Sequence, residues 1–184
     1  MKSAPSAPFV LDWSGWEDDG SDNNLNGGNG GNGGNGGNGE EYTFHRIFLE
    51  NNHKATVTGG KFGSVNACIS GRSTFTSSKI DMLVMMAMPR EEWADDIDHG
   101  VNLKGKTQVN TLILTELDVI AEAMDGVDRP LVKLSDNAKI DRMEIYGDAR
   151  LFDPAWIEGA DIQYVIVEGE EQMTYNEFLA YIGR

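Results

Sequence analysis

A β-rich domain of the α+β class, built of short strands with two or three helices, is what this sequence predicts. Three observations carry the prediction. From Tyr42 onward side chains alternate with period two, pairs of Gly, Asn and Ser punctuate the alternation, and helical spacing appears in only three places.

The elements follow in order. Tyr42, Phe44, Arg46 and Phe48 fall on one side of a strand, and Thr43, His45, Ile47 and Leu49 on the other. Asn51-Asn52 breaks the run, residues 55–58 resume it, and Gly59-Gly60 reads as a turn. Val65, Ala67 and Ile69, then residues 74–76, read as further short strands split by Ser70-Gly71. Residues 80–88 read as a buried strand whose methionines, Met82, Met85, Met86 and Met88, belong to the core.

Pro89 opens a short acidic helix over residues 90–97. A second helix falls within 109–124. Val109, Leu112, Ile113, Leu117, Ile120, Ala121 and Met124 recur at helical spacing through it; Thr115 and Asp118 resemble a capping box, so the alternative is a helix that begins only there, after a strand over 109–114, and Gly126 closes it. The third is the clearest. Thr174 and Glu177 form a capping box, Phe178, Leu179 and Ile182 an apolar face, and Gly183 a stop.

Three regions divide the chain. Residues 1–25 form an acidic, disordered tail, 26–39 a Gly/Asn linker, and 40–184 a globular domain. Disordered segments are poor in aromatics, so Phe9, Leu11, Trp13 and Trp16 mark a docking segment for a protein partner or a neighbouring subunit. The same stretch also suits an extra strand on its own domain. The linker spans roughly 20 Å as a coil, enough for the tail to reach around its domain or onto a neighbour.

Net charge is -15, of which the tail carries -4, Lys2 standing against Asp12, Glu17, Asp18, Asp19 and Asp22. Such a surface repels phosphate backbones and anionic lipid heads, so nucleic acid and membranes are not the expected partners. Protein binding or self-association is. The lone Cys68 excludes an intramolecular disulfide framework and reads as a buried structural thiol. No apolar run reaches membrane-spanning length, and residues 1–11 lack the pattern of a signal peptide. The expected setting is cytoplasmic or virion-associated. A small, acidic, linker-bearing chain suits an accessory protein of a phage or mobile element.

The sharpest chemical motif is Gly100-Val101-Asn102-Leu103-Lys104-Gly105-Lys106-Thr107. It resembles the phosphate-binding loop of P-loop NTPases. That resemblance implies backbone N–H groups around phosphates, Lys106 on the outer phosphates and Thr107 on magnesium. A nucleotide hydrolase using Gly100, Gly105, Lys106 and Thr107 is therefore the alternative to a binding protein. Asp95, Asp96 and Asp98 just before the motif oppose a triphosphate, and no apolar strand ends at Gly100. His45, His53 and His99 are scattered, and the acidic clusters lack the ligand spacing of a calcium loop, so no metal or cofactor is expected.

Residues 137–162 repeat a small-x-large form. Ala149 and Ala155 are six apart, as are Leu151 and Ile157, or Ile145 and Leu151. With Gly147-Asp148-Ala149-Arg150-Leu151, this segment resembles hexapeptide-repeat left-handed β-helix proteins. The resemblance implies a short β-solenoid segment, with the C-terminal helix as its cap, as an alternative fold. The family's enzymes use His on the coils, and none of the three His lies in 135–169.

Overall fold

The computed structural model describes residues 43–49, 56–68, 72–86 and 100–184. The chain alternates between two sheets. One contains β1 (Thr43–Leu49), β3 (Lys61–Cys68), β5 (Lys79–Met86), β7 (Gln108–Leu114), β9 (Lys139–Ile145) and β11 (Tyr164–Val167) in that spatial order. A short β12 (Met173–Thr174) makes it seven-stranded. The other is five-stranded: β2 (Thr56–Thr58), β4 (Ser73–Thr76), β6 (Val101–Lys104), β8 (Val132–Leu134) and β10 (Ile157–Glu158). Up to β11, each strand re-enters its sheet only after a visit to the other, so it arrives pointing the same way. All pairs are parallel except β11–β12.

Pairing in register turns the period-two pattern into side-chain columns. Ile47, Val65, Leu83, Leu112, Met143 and Val165 stack in one, and Leu49, Ala67, Met85, Leu114, Ile145 and Val167 in the next. All of these are buried. From the other sheet Val57, Phe75, Leu103 and Leu134 stack to face them. Phe62 and Phe75 meet edge to face at 5.8 Å and tie the sheets together. The core is thus a pile of matched aliphatic layers.

Thr43 pairs with Lys61 and Lys61 with Lys79, a step of 18 residues. The next steps are longer, because Ile80 pairs with Val109 and Val109 with Ile140. Passage from the five-stranded to the seven-stranded sheet stays tight up to β9. Each corner uses positive φ: Gly59 at 76° with Gly60 at 88°, Ser77 at 54°, Gly105 at 62° and Asp136 at 61°. Adjacent corners are bonded, Gly59 N donating to Thr76 O, Ser77 N to Lys104 O and Asn137 N to Gly105 O. The return passages take the insertions, including α1 (Leu117–Met124) and two 3-10 turns, Ala149–Leu151 and Pro154–Trp156.

Most expected strands are present at the expected places, and β7 does precede α1. Several details differ. α1 begins after Glu116, which sits at φ 57° without a side-chain cap, so Thr115 and Asp118 form no capping box. Met82 is 43% exposed and follows exposed Asp81, so two successive residues of β5 face outward. Leu151 is exposed in a 3-10 turn, and the residues that stack on Ile145 are Leu114 and Val167. The tail and linker, the expected helix over 90–97, Met88, His53 and His99 lie outside the described residues. Cys68 ends β3.

The C-terminal helix, α2 (Tyr175–Tyr181), matches its signature. Thr174 Oγ1 accepts from Glu177 N, while the Glu177 carboxylate accepts from Thr174 N at 2.7 Å. Gly183, at φ 77°, donates to Ala180 O and Arg184 N donates to Leu179 O, a Schellman stop. Phe178 is fully buried and lies 5.4 Å from Phe152, edge to face. Bonds from Thr174 hold the Glu177 carboxyl below its ordinary pKa. A depressed carboxylate stabilises the folded state above its unfolded pKa, and that contribution is lost as pH falls through the folded value. Amide exchange at residues 175–178 is therefore expected to accelerate below the usual carboxylate range, and Glu177→Gln should flatten this pH dependence.

Candidate functional site

The outer face of the seven-stranded sheet carries polar residues in rows, set by the same register as the core. Lys61, Lys79, Gln108 and Lys139 form one row. Arg46, Ser64, Met82, Thr111, Arg142 and Tyr164 form another. Between these rows the ladder pairing skips Gly63, Asp81, Asn110 and Asp141. An open groove of about 480 Å³ lies across this part of the face. Arg46, Ser64, Asp81, Asn110, Thr111 and Arg142 are among its lining residues.

The groove is ordered by its own bonds. Arg142 donates to Thr111 Oγ1 from Nη2 at 3.0 Å and from Nε at 3.3 Å, and pairs with Glu144 at 3.2 Å. Asn110 Nδ2 donates to Asp81 Oδ1 at 2.9 Å, and Asn66 Nδ2 to Ser64 Oγ at 3.0 Å. Tyr146 donates its hydroxyl to Glu144, and that bond to an anion raises the phenol above its ordinary pKa. Hydroxyls, amides and a guanidinium held in place suit recognition by hydrogen bonding and charge. They are not an acid–base pair poised beside a nucleophile.

The chain matches no family model, no curated protein and no solved structure. Its function therefore rests on its own geometry.

The phosphate-loop residues occupy a different structure from the one their motif implies. Gly100 to Thr107 form strand, turn and the approach to a second strand, and β7 stands where a helix would follow Gln108. The backbone N–H of Gly105 donates to Asp136 Oδ2 at 3.2 Å, and that of Lys106 to Ser77 Oγ at 3.3 Å. These are groups a phosphate loop aims at its ligand. Thr107 is fully buried, and its hydroxyl shares its one proton between Phe75 O and Lys104 O while accepting from Ser78 N. It ties three strands at a corner. Thr107→Val is expected to cost about 1–3 kcal/mol in urea unfolding, the penalty of orphaned buried polar groups, with Lys106→Ala nearly neutral.

Phe9, Leu11, Trp13 and Trp16 lie outside the described residues. Among the described residues no group of three His, Cys, Asp or Glu is placed to hold a metal ion. No helix of these residues is long and apolar enough to cross a membrane.

The groove residues were missed in the sequence because five strands supply them. The available signal was a repeat of 18 residues. Val57-Thr58-Gly59-Gly60-Lys61-Phe62 returns as Phe75-Thr76-Ser77-Ser78-Lys79-Ile80, and Arg46, Ser64 and Met82 keep the same spacing.

Proposed function

We propose that this protein is a non-enzymatic binding or assembly module. A β-solenoid scaffold carries an aromatic N-terminal segment that engages a protein partner or neighbouring subunit through Phe9, Leu11, Trp13 and Trp16. The observation that supports this reading most is the stack of in-register parallel strands. It fills the interior with apolar columns and sends the polar groups outward in rows. Stacked coils of this kind make extended, rigid surfaces, and proteins built so use them to bind other macromolecules. The Gly105 and Lys106 backbone N–H groups and the Thr107 hydroxyl, which would serve a nucleotide, are engaged in the corner bonds of the scaffold.

The tail supplies the other half of the argument. Two indoles in a segment otherwise rich in Ser, Asp and Asn give large contact area at small ordering cost. The linker raises their local concentration at a nearby site. Replacing Trp13 and Trp16 by Ala in the full chain is the test. The double substitution is expected to lower capture of a defined partner or, where that partner is a neighbouring subunit, light-scattering mass. Unchanged mass and unchanged capture would remove the reading.

A further inference from the structure

The outer face of the seven-stranded sheet opposes the rest of the molecule in charge. The chain holds 15 basic and 30 acidic residues. Five of the basic ones, Arg46, Lys61, Lys79, Lys139 and Arg142, stand on this face, against Asp81, Asp141 and Glu144. The face is therefore net positive, while the remainder of the chain is more negative than the whole.

We propose that this face is a docking surface for an acidic aromatic peptide, and that its occupant in the free protein is the chain's own segment of residues 12–22. The proposal rests on the reading of that segment as a docking element. Three arguments carry the assignment.

Charge is the first. Asp12, Glu17, Asp18, Asp19 and Asp22 bring five carboxylates with no cation among them. On a surface otherwise acidic, this sheet face is where attraction replaces repulsion.

Length is the second. Arg46 and Arg142 are four strand spacings apart, roughly 19 Å at ~4.8 Å each. An extended chain from Asp12 to Asp19 covers about 23 Å at ~3.3 Å per residue, so one pass lays carboxylates along the groove. Trp13 and Trp16 then lie over exposed Met82 and the guanidinium groups, contacts that indole rings favour.

Tethering is the third. The fold is entered at Thr43, which pairs with Lys61 at the end of the row of Lys61, Lys79 and Lys139. A Gly/Asn-rich stretch of twenty residues, the number between the segment and Thr43, would span about 25 Å as a coil, which matches the reach required. A matched tether gives an effective concentration of order millimolar, so the chain's own face outcompetes that of a neighbour.

The test is carbodiimide cross-linking of the full chain, which joins carboxylates to lysine amines in contact, on an equal mixture of light and heavy-isotope protein. Expected are cross-links from Asp12, Glu17, Asp18, Asp19 or Asp22 to Lys61, Lys79 or Lys139, all within one isotope. They should be lost at about 1 M salt, where the Debye length is ~3 Å. Cross-links only to Lys104, Lys106 or Lys133, on other surfaces, would overturn the proposal, as would none at all or ones that persist in salt. Mixed-isotope pairs would overturn the own-chain assignment and leave the docking reading standing. Failure of that reading is detected separately, by the Trp13→Ala and Trp16→Ala comparison in mass and capture.

Discussion

Leu112→Ala is expected to destabilise the protein by about 2–5 kcal/mol, a large part of the stability of any single domain. Leu112 is fully buried in the middle of a column, with Leu83 on one side and Met143 on the other. Its neighbours are fixed by parallel backbone ladders on both flanks, so they have little freedom to close on the space left behind. The cost should therefore lie towards the upper end of that range. Urea unfolding followed by circular dichroism reads it as a lowered midpoint at similar slope. Ile113→Ala is the control. Ile113 belongs to the same strand but points outward and is half-buried, and its truncation should cost far less.

Gly100→Ala should be the most damaging of the small substitutions. Gly100 has φ 133°, a region that L side chains rarely adopt. A Cβ there would meet Leu131 O at 2.4 Å and the Arg72 guanidinium at 3.1 Å. Leu131 O cannot simply retreat, since it accepts from Val101 N at 2.9 Å. Arg72 is likewise engaged, donating to Pro130 O at 2.9 Å and to Asn102 Oδ1 at 3.3 Å. Backbone strain alone is worth about 1–3 kcal/mol, and the displaced contacts add to it. Gly126→Ala gives the comparison. Gly126 also has positive φ, at 71°, but a Cβ there would meet nothing within 4 Å. Its loss should stop near the strain cost. In a phosphate-binding loop, Gly100→Ala would act first on ligand affinity. Here it is expected to act on the thermal midpoint with no nucleotide present.

Local structure was legible where a short signal determines it. The Thr174–Glu177 box and Gly183 located α2, because capping chemistry is contained within one turn. The alternation in β1 was equally visible, since a strand with one buried face needs little else. The arrangement of those strands was harder to read. Coil length is regular only from β1 to β5, and the segment 87–99, α1 and the 3-10 turns then stretch it unevenly. The spacing of six in 145–157 falls where two 3-10 turns interrupt the stack, so Leu151 faces outward and does not stack on Ile145. The groove failed to show for the same reason. Arg46 and Arg142 share a row through the register of four intervening pairings, which no local pattern encodes.

The two kinds of corner have unequal tolerance for added sequence. The loop Asp125-Gly126-Val127-Asp128-Arg129 is exposed throughout, and no strand-to-strand bond crosses it. A foreign peptide spliced after Asp128 would ride on that flank as α1 already does, making it a natural place for an epitope or a fluorophore. The same splice after Gly105 would sever the links from Lys106 to Ser77 and from Asn137 to Gly105, and with them the alignment of every later layer.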